Sequence, residues 1–228
     1  MQDISFLTRL SLFALVALTL ATIGVKVLSY GPLLALGGSK VLIAEVVLLL
    51  VLYGVVIAWP SRRRGVVLRP RLATGWGVAG GILQVIHLLL ERFSSFRQPW
   101  DGIITLAFMF ATFLLWGYVG YRARSYGLSV GLSCRSAVWS AVVTMTVAVM
   151  AGTLMEYVVA PYPLATISEW AEFKRSGWND VRAFSIANTM DAASSHLFIG
   201  PIIASVFGGL GCALSSLLHP AARRALSD

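Results

Sequence analysis

The chain has 228 residues, of which 57% are apolar and 12% are charged, and its formal net charge is +8. A soluble domain carries about 25% charged residues, so this composition excludes a soluble globular protein, which would lack the charges to cover its surface. It also excludes intrinsic disorder, which requires low hydrophobicity. The composition therefore predicts a membrane protein that crosses the bilayer several times.

Six apolar segments are long enough to cross a bilayer, because a helix needs about 20 residues to span about 30 Å of hydrocarbon. The first is too long for the apolar core of a signal peptide, and no clear A-x-A cleavage site follows it, so we expect it to be retained. The prediction is an all-α polytopic integral membrane protein, a six-transmembrane-helix bundle in which residues 1–228 form a single membrane domain. Its spans are residues 10–28, 41–59, 73–90, 102–121, 136–159 and 198–218, and residues 160–197 form a long outer loop.

The basic residues are distributed unequally between the loops. Eleven of the eighteen Lys and Arg residues fall on the side of the termini, and seven fall on the other side. Since cytoplasmic loops are enriched in Lys and Arg, both termini are predicted to be cytoplasmic, as in a bacterial-type inner membrane. Nucleic acid is not expected as a partner, because no soluble platform accompanies the basic residues. The residues predicted to contact anionic lipid headgroups are Arg62, Arg63, Arg64, Arg69 and Arg71.

The outer loop between spans five and six is long enough to contain its own secondary structure. Thr166 and Glu169 have the spacing of a capping box, and the helix that they start is predicted to end near Gly177. A second short helix is predicted to begin at Asn179. Both are expected to be interfacial amphipathic helices on the membrane surface, either as a lid over the bundle or as a docking surface or gate.

Small residues recur at every fourth position of spans five and six. Such rows let helix backbones approach closely in lipid, and rows at this spacing are the ridges of the commonest class of helix packing. Spans five and six are therefore predicted to form a tight antiparallel pair, with Pro201 in the first turn of span six. The predicted packing residues are Ser140, Thr144, Ala148 and Gly152 in span five, and Gly200, Ala204, Gly208 and Cys212 in span six.

Polar and ionisable residues gather at the outer ends of the spans. Gln84, His87 and Glu91 share one helix face at positions i, i+3 and i+7. Glu156 and His196 extend the two rows of small residues towards the same end, where they are predicted to meet. The complete predicted outer polar cluster is Gln84, His87, Glu91, Asp101, Glu156, Asp191 and His196.

Three interpretations of this cluster stay open. Its members are hydrated helix ends, or a site for protons or a small solute, or a metal or haem site with His87 and His196 as weak candidate ligands. The residue types alone do not decide between them.

The sequence contains no motif of a familiar enzyme class, which argues against catalysis, and it identifies no cofactor. The first functional interpretation is a non-catalytic accessory, assembly or anchoring component of a larger membrane complex, with the lipid bilayer and other membrane subunits as partners. The alternatives are a transporter or channel for a small solute or ion with a polar site at the outer face, and a metal- or haem-binding membrane subunit. A water-accessible cavity inside the bundle would favour the transporter over the accessory component.

Overall fold

The computed structural model describes residues 6–31, 37–58, 70–93, 100–158 and 167–219, which are all-helical and include no strand. Their helices are α1 (Phe6–Ser29), α2 (Gly37–Ala58), α3 (Pro70–Phe93), α4 (Trp100–Ser125), α5 (Val130–Val158), α6 (Ile167–Ser176) and α7 (Val181–Leu218). All except the short α6 are long and apolar enough to cross a membrane. The chain is thus a multi-pass membrane protein, and the predicted all-α six-helix bundle is confirmed.

The six spanning helices run alternately in opposite directions, so α1 begins and α7 ends at the same end of the bundle. We call this the termini end, and we call the opposite end, where α6 connects α5 to α7, the distal end. α5 is the central helix, because 56% of its most apolar stretch is buried, compared with 17–33% in the other five spans. Its Val143 and Met145 belong to one apolar core together with Trp116 of α4 and Leu197 of α7.

Glycines bring α3 into close contact with α5. A Cβ atom at Gly77 would lie 2.7 Å from the backbone oxygen of Ser140, and one at Gly81 would lie 2.7 Å from the Cβ of Val147. The hydroxyl of Thr144 also donates to the carbonyl oxygen of Gly77 at 3.0 Å. Small residues permit such short distances between helices in lipid, and here they fix α3 against the central helix.

A second close approach joins α4 to α7 near the termini end. A Cβ atom at Gly211 would collide with the carbonyl oxygen of Gly117 and lie 2.9 Å from the backbone nitrogen of Tyr121. One at Gly120 would lie 2.7 Å from the Cα of Gly208. Because these neighbours are backbone atoms, the two helices are in direct main-chain contact, and this half of the bundle is solidly packed.

The structure corrects the predicted pairing of the two rows of small residues. α5 and α7 do pack against each other, but Ser140 and Thr144 of α5 face the glycines of α3. The row of α7 meets other residues of α5: a Cβ atom at Gly208 would lie 2.6 Å from the Cβ of Ala137. The physical reason is that α5 is surrounded by other helices, and α3 is the neighbour whose glycines allow the closest approach to its small-residue face.

Two further members of the α7 row, Ala204 and Cys212, are also buried. The Cys212 sulfur lies 3.6 Å from the carbonyl oxygen of Gly120 on α4, and it neighbours Cys134 on α5. Both cysteines are free thiols. α7 therefore lies between α4 and α5 rather than against one of them alone.

α7 is much longer than the predicted sixth span. It has 38 residues, which correspond to about 57 Å at 1.5 Å per residue. The second half of the predicted outer loop is therefore the distal part of this helix, and not a separate short helix. Asp180 is its N-cap, where the carboxylate accepts from the backbone nitrogens of Arg182 and Ala183. Pro201 consequently lies in the helix interior and not in a first turn.

Tyr53 compensates for the proline inside α7. Pro201 has no N–H to donate to the carbonyl of Leu197, four residues earlier. The hydroxyl of Tyr53, on α2, donates to that oxygen at 2.8 Å. Tyr53 is 6% exposed and Leu197 is 1% exposed, and a buried carbonyl without a donor costs free energy. The bond therefore stabilises α7 at its proline and joins α2 to it.

The distal part of α7 is attached to α1. Tyr30, directly after α1, donates its hydroxyl to the Asp180 carboxylate at 3.1 Å, and the Arg182 guanidinium lies 5.6 Å from the centre of the Tyr30 ring. Burial, together with the hydrogen bond and the charge of Asp180, raises the pKa of Tyr30 above its usual value of 10.0. The hydroxyl is therefore protonated, and able to donate, at neutral pH.

α6 packs back against the same region, since the rings of Phe173 and Phe184 are 5.5 Å apart. It ends at Ser176, next to the predicted position, and Gly177 follows it with a φ of +77° that favours glycine. Thr166, the predicted capping residue, lies outside the described part of the chain. α6 thus borders the distal end of the bundle.

Substitutions of Asp180 test its role as the N-cap of α7. Asp180→Ala is expected to lower the free energy of unfolding by about 0.5–2 kcal/mol, because an N-cap is lost. Asp180→Asn should lower it less, since asparagine caps a helix about as well as aspartate. Thermal unfolding of the purified protein in mild detergent measures both, and equal losses in the two variants would contradict the capping role.

Candidate functional site

A cavity of about 460 Å³ lies in the distal half of the bundle, between α3, α4, α5 and α7. Small-molecule sites are typically clefts of about 300–1,000 Å³, so its size is that of a ligand site. Along α4 and α7 it reaches as far as Trp116 and Ile203. Beyond these residues the glycines of α4 and α7 are in main-chain contact, which closes the cavity towards the termini end.

Each of the four helices contributes one face to the wall. The lining residues of α4 are separated by four, three and four positions, and those of α7 recur at the same helical spacing. From α4 these are Thr105, Met109, Thr112 and Trp116, with Phe113 beside them. From α7 they include Thr189, Ala192, His196, Ile199 and Ile203. Most of the wall is apolar, and the polar groups come mainly from α3, α4 and the distal part of α7.

Two polar contacts join α3 to α4 in this wall. Gln84 donates from Nε2 to the Thr112 hydroxyl oxygen at 2.7 Å, and that hydroxyl donates to the carbonyl oxygen of Phe108 at 2.9 Å. The Nε2 atom of His87 lies 3.2 Å from the Thr105 hydroxyl oxygen, and its ring stacks on Phe108. Both Gln84 and His87 are buried, so these contacts hold two polar side chains in fixed orientations.

His196 lines the cavity from α7 and is exposed. Its Nδ1 atom lies 2.6 Å from the carbonyl oxygen of Ala192. Since a carbonyl oxygen can only accept, Nδ1 carries the proton in this bond. The Nε2 atom of the neutral ring is therefore a hydrogen-bond acceptor.

Four of the seven residues of the predicted outer polar cluster line this one cavity: Gln84, His87, Glu91 and His196. Asp191 is exposed on α7 and does not line it. The side chains of Asp101 and Glu156 lie outside the described part of the chain, and with them the predicted contact between Glu156 and His196.

Three residues predicted to pack helices together line the cavity instead. They are Ala148, Gly152 and Gly200. Gly152 is loosely surrounded, since a Cβ atom there would have its nearest neighbour, a methyl group of Leu88, at 3.9 Å. In the distal half of the bundle, small side chains therefore leave space between the helices as well as allowing close contact.

The described residues do not complete the predicted metal site, and the predicted contact with lipid headgroups stays a prediction. Although two histidines and Glu91 line the cavity, the described residues contain no group of three His, Cys, Asp or Glu side chains that could hold a metal ion. Of the arginines predicted to contact lipid, Arg71 is exposed at the first turn of α3. The others, Arg62, Arg63, Arg64 and Arg69, lie outside the described residues.

A smaller cavity of about 170 Å³ adjoins the first at the distal end. The two share part of their walls, including Glu91 and Thr189. The smaller one is more polar, and its further lining residues include Arg92, Glu169, Ser185 and Asn188. Because Glu169 belongs to α6, this polar space lies between the main cavity and the helix that borders the distal end.

The contribution of α4 to the cavity wall could not be predicted from ionisable residues. Thr105 and Thr112 are neutral, and a search for charged or titratable groups passes over them. Their separation of seven residues places them on one face of a helix, together with Met109 and Trp116. That spacing is the signal that would have indicated a polar stripe on α4.

The arrangement has the features of a binding site. It combines an apolar wall, a few fixed polar groups and a polar space at one end, which is the usual composition of a small-molecule site.

The chain matches none of the known protein families, none of the curated proteins and none of the solved structures with which it was compared.

Proposed function

We propose that the protein binds a small solute in the distal cavity, as a transporter or channel does, and that it performs no catalysis. The observation that carries the proposal is that Gln84, His87, Glu91 and His196 line one cavity although they come from two different helices. Polar groups are expensive within a membrane, and they commonly mark the path of a solute. A mainly apolar cavity in which a few polar groups converge supports the same function.

An accessory, assembly or anchoring role in a larger membrane complex is the second candidate. It is supported by α2, whose exposed apolar residues form one stripe at helical spacing. The stripe consists of Leu48, Val51, Leu52, Val55 and Val56. Such a face suits another membrane subunit as well as lipid. The cavity favours solute binding, because an anchoring subunit needs only a solid bundle.

We further propose that the protein lies in a bacterial-type inner membrane with both termini in the cytoplasm. The support is the excess of Lys and Arg on the side of the termini. Arg71, exposed at the termini end of α3, is then placed to contact anionic lipid headgroups. In this orientation the cavity belongs to the outer half of the membrane.

Thiol labelling tests whether water and solutes reach the cavity. Ala148 lines it from α5, whereas Ala141 of the same helix is fully buried and does not line it. Both native cysteines are first replaced with alanine. We expect Ala148→Cys to react with a small, membrane-impermeant methanethiosulfonate added to intact spheroplasts, and Ala141→Cys to stay unlabelled.

The possible outcomes separate the proposals. Equal protection of both positions would show that the cavity is dry, and solute binding would then give way to the accessory role. Reaction of Ala148→Cys only after the spheroplasts are opened would retain the cavity and reverse the proposed orientation.

A further inference from the structure

Resting on the proposed solute binding, we propose that the solute is an amphiphile with one apolar chain and a head group that donates a hydrogen bond, and that it enters from the bilayer between α4 and α7. Three features support this: the opening of the cavity, the use of the donors in its wall, and the acceptors that face it.

The cavity opens between α4 and α7 at a depth where the membrane is hydrocarbon. Met109 of α4 and Ile199 of α7 both line it, and they are 38% and 46% exposed. Met109 lies nine residues after Trp100, the first residue of α4, or about 14 Å along the helix axis. An opening bordered by apolar side chains at this depth admits an apolar chain from the lipid, and it disfavours a fully hydrated ion.

Three polar hydrogens beside the cavity are directed at neighbouring protein atoms. Gln84 donates to Thr112, and Thr112 donates to the carbonyl oxygen of Phe108. The indole N–H of Trp116 is directed at the Thr144 hydroxyl oxygen at 3.4 Å. These three hydrogens are therefore not offered to a ligand that needs donors, such as an ester or an ether.

His196 and Gln84 supply hydrogen-bond acceptors in the cavity wall. The Nδ1 proton of His196 is bonded to the carbonyl oxygen of Ala192, so Nε2 is an acceptor whenever the ring is neutral, and Gln84 has an amide oxygen. Glu91 lines the same cavity. A hydroxyl or another donor is complementary to the acceptors of His196 and Gln84.

Photolabelling with two matched probes tests the proposal. The full chain is placed in phosphatidylcholine vesicles with dodecanol that carries a diazirine in its chain, or with the methyl ether of the same probe, which keeps the oxygen and loses the donor. We expect the alcohol to label the facing sides of α4 and α7 saturably. Its half-saturation should occur at an about threefold to tenfold lower mole fraction than that of the ether, the size expected for one hydrogen bond.

Two substitutions locate the effect. His196→Phe should remove the advantage of the alcohol and leave labelling by the ether unchanged. Asp191→Asn, on the same helix but outside the cavity lining, should change neither. Ile199→Trp, at the opening, should slow labelling by both probes while the water-soluble reagent still reaches Ala148→Cys.

Each contrary result overturns a different statement. Equal half-saturation for alcohol and ether would overturn the donor head group. If neither probe labels saturably while Ala148→Cys still reacts, the amphiphile is wrong and solute binding stands. If Ala148→Cys does not react, the proposed function itself fails.

Discussion

Gly211→Ala is expected to destabilise the protein by about 1–3 kcal/mol, although alanine is the better helix former by about 1 kcal/mol. The added methyl group would collide with the Gly117 carbonyl and press on the backbone nitrogen of Tyr121. Backbone atoms cannot rotate away as a side chain can, so α4 and α7 must separate. The loss should appear as a lower free energy of unfolding when SDS is titrated into the protein in mixed micelles.

Gly209→Ala is the matched control, two residues away on the same helix. A Cβ atom there would meet nothing within 4 Å, so the substitution should be neutral or stabilising through helix propensity alone. If Gly211→Ala were as stable as Gly209→Ala, the main-chain contact between α4 and α7 would be wrong.

Tyr53→Phe is expected to lower the free energy of unfolding by about 1–3 kcal/mol, the cost of a buried polar group that loses its partner. The ring and its packing remain, and only the hydroxyl that donates to Leu197 is removed. The reason for the large effect is Pro201, which cannot supply the missing hydrogen bond from within α7.

A double-mutant cycle with Pro201→Ala tests whether the missing N–H of Pro201 causes the large effect. Alanine at this position restores an N–H four residues after Leu197, so Tyr53→Phe should then cost much less than in the natural sequence. The same SDS titration measures all four proteins. An identical cost in both backgrounds would show that Tyr53 does not compensate for the proline.

The spans could be predicted because the length of an apolar segment is nearly sufficient to place a helix in a membrane. The extent of α7 could not, because its distal part carries Asn188, Thr189 and Asp191, which interrupt the apolar segment without interrupting the helix. A helix needs only its backbone hydrogen bonds and a cap, and Asp180 supplies the cap. The ends of an apolar span are therefore set by hydrophobicity, whereas the ends of its helix are set by backbone hydrogen bonds and caps.

The contact between α4 and α7 was missed for a reason of spacing. Gly117 and Gly120 are three residues apart, and so are Gly208 and Gly211. The packing prediction rested on small residues four positions apart, so it did not include these pairs. Rows at both spacings form ridges on a helix surface. The identity of the partner helix is a further problem, since one row of small residues fits several neighbours and the choice depends on all six helices.

The part of the candidate site on α3 could be predicted from the sequence. Gln84, His87 and Glu91 share one helix face, which their spacing already indicates. That α3 and the distal part of α7 surround a common cavity depends on the crossing of α4 and α7, which local patterns do not encode.

The length of α7 also sets how the protein meets its membrane. Transmembrane helices tilt by at most about 40°, so a helix of about 57 Å still rises about 44 Å across a hydrocarbon layer of about 30 Å. The stretch of α7 that borders the cavity, from Thr189 to Ile203, extends over about 21 Å along the helix axis. The cavity thus reaches from the acyl chains towards the headgroup layer. Hydrophobic mismatch consequently acts on it directly: a thicker bilayer submerges more of the opening between α4 and α7, and a thinner one leaves more of it in the hydrated interface.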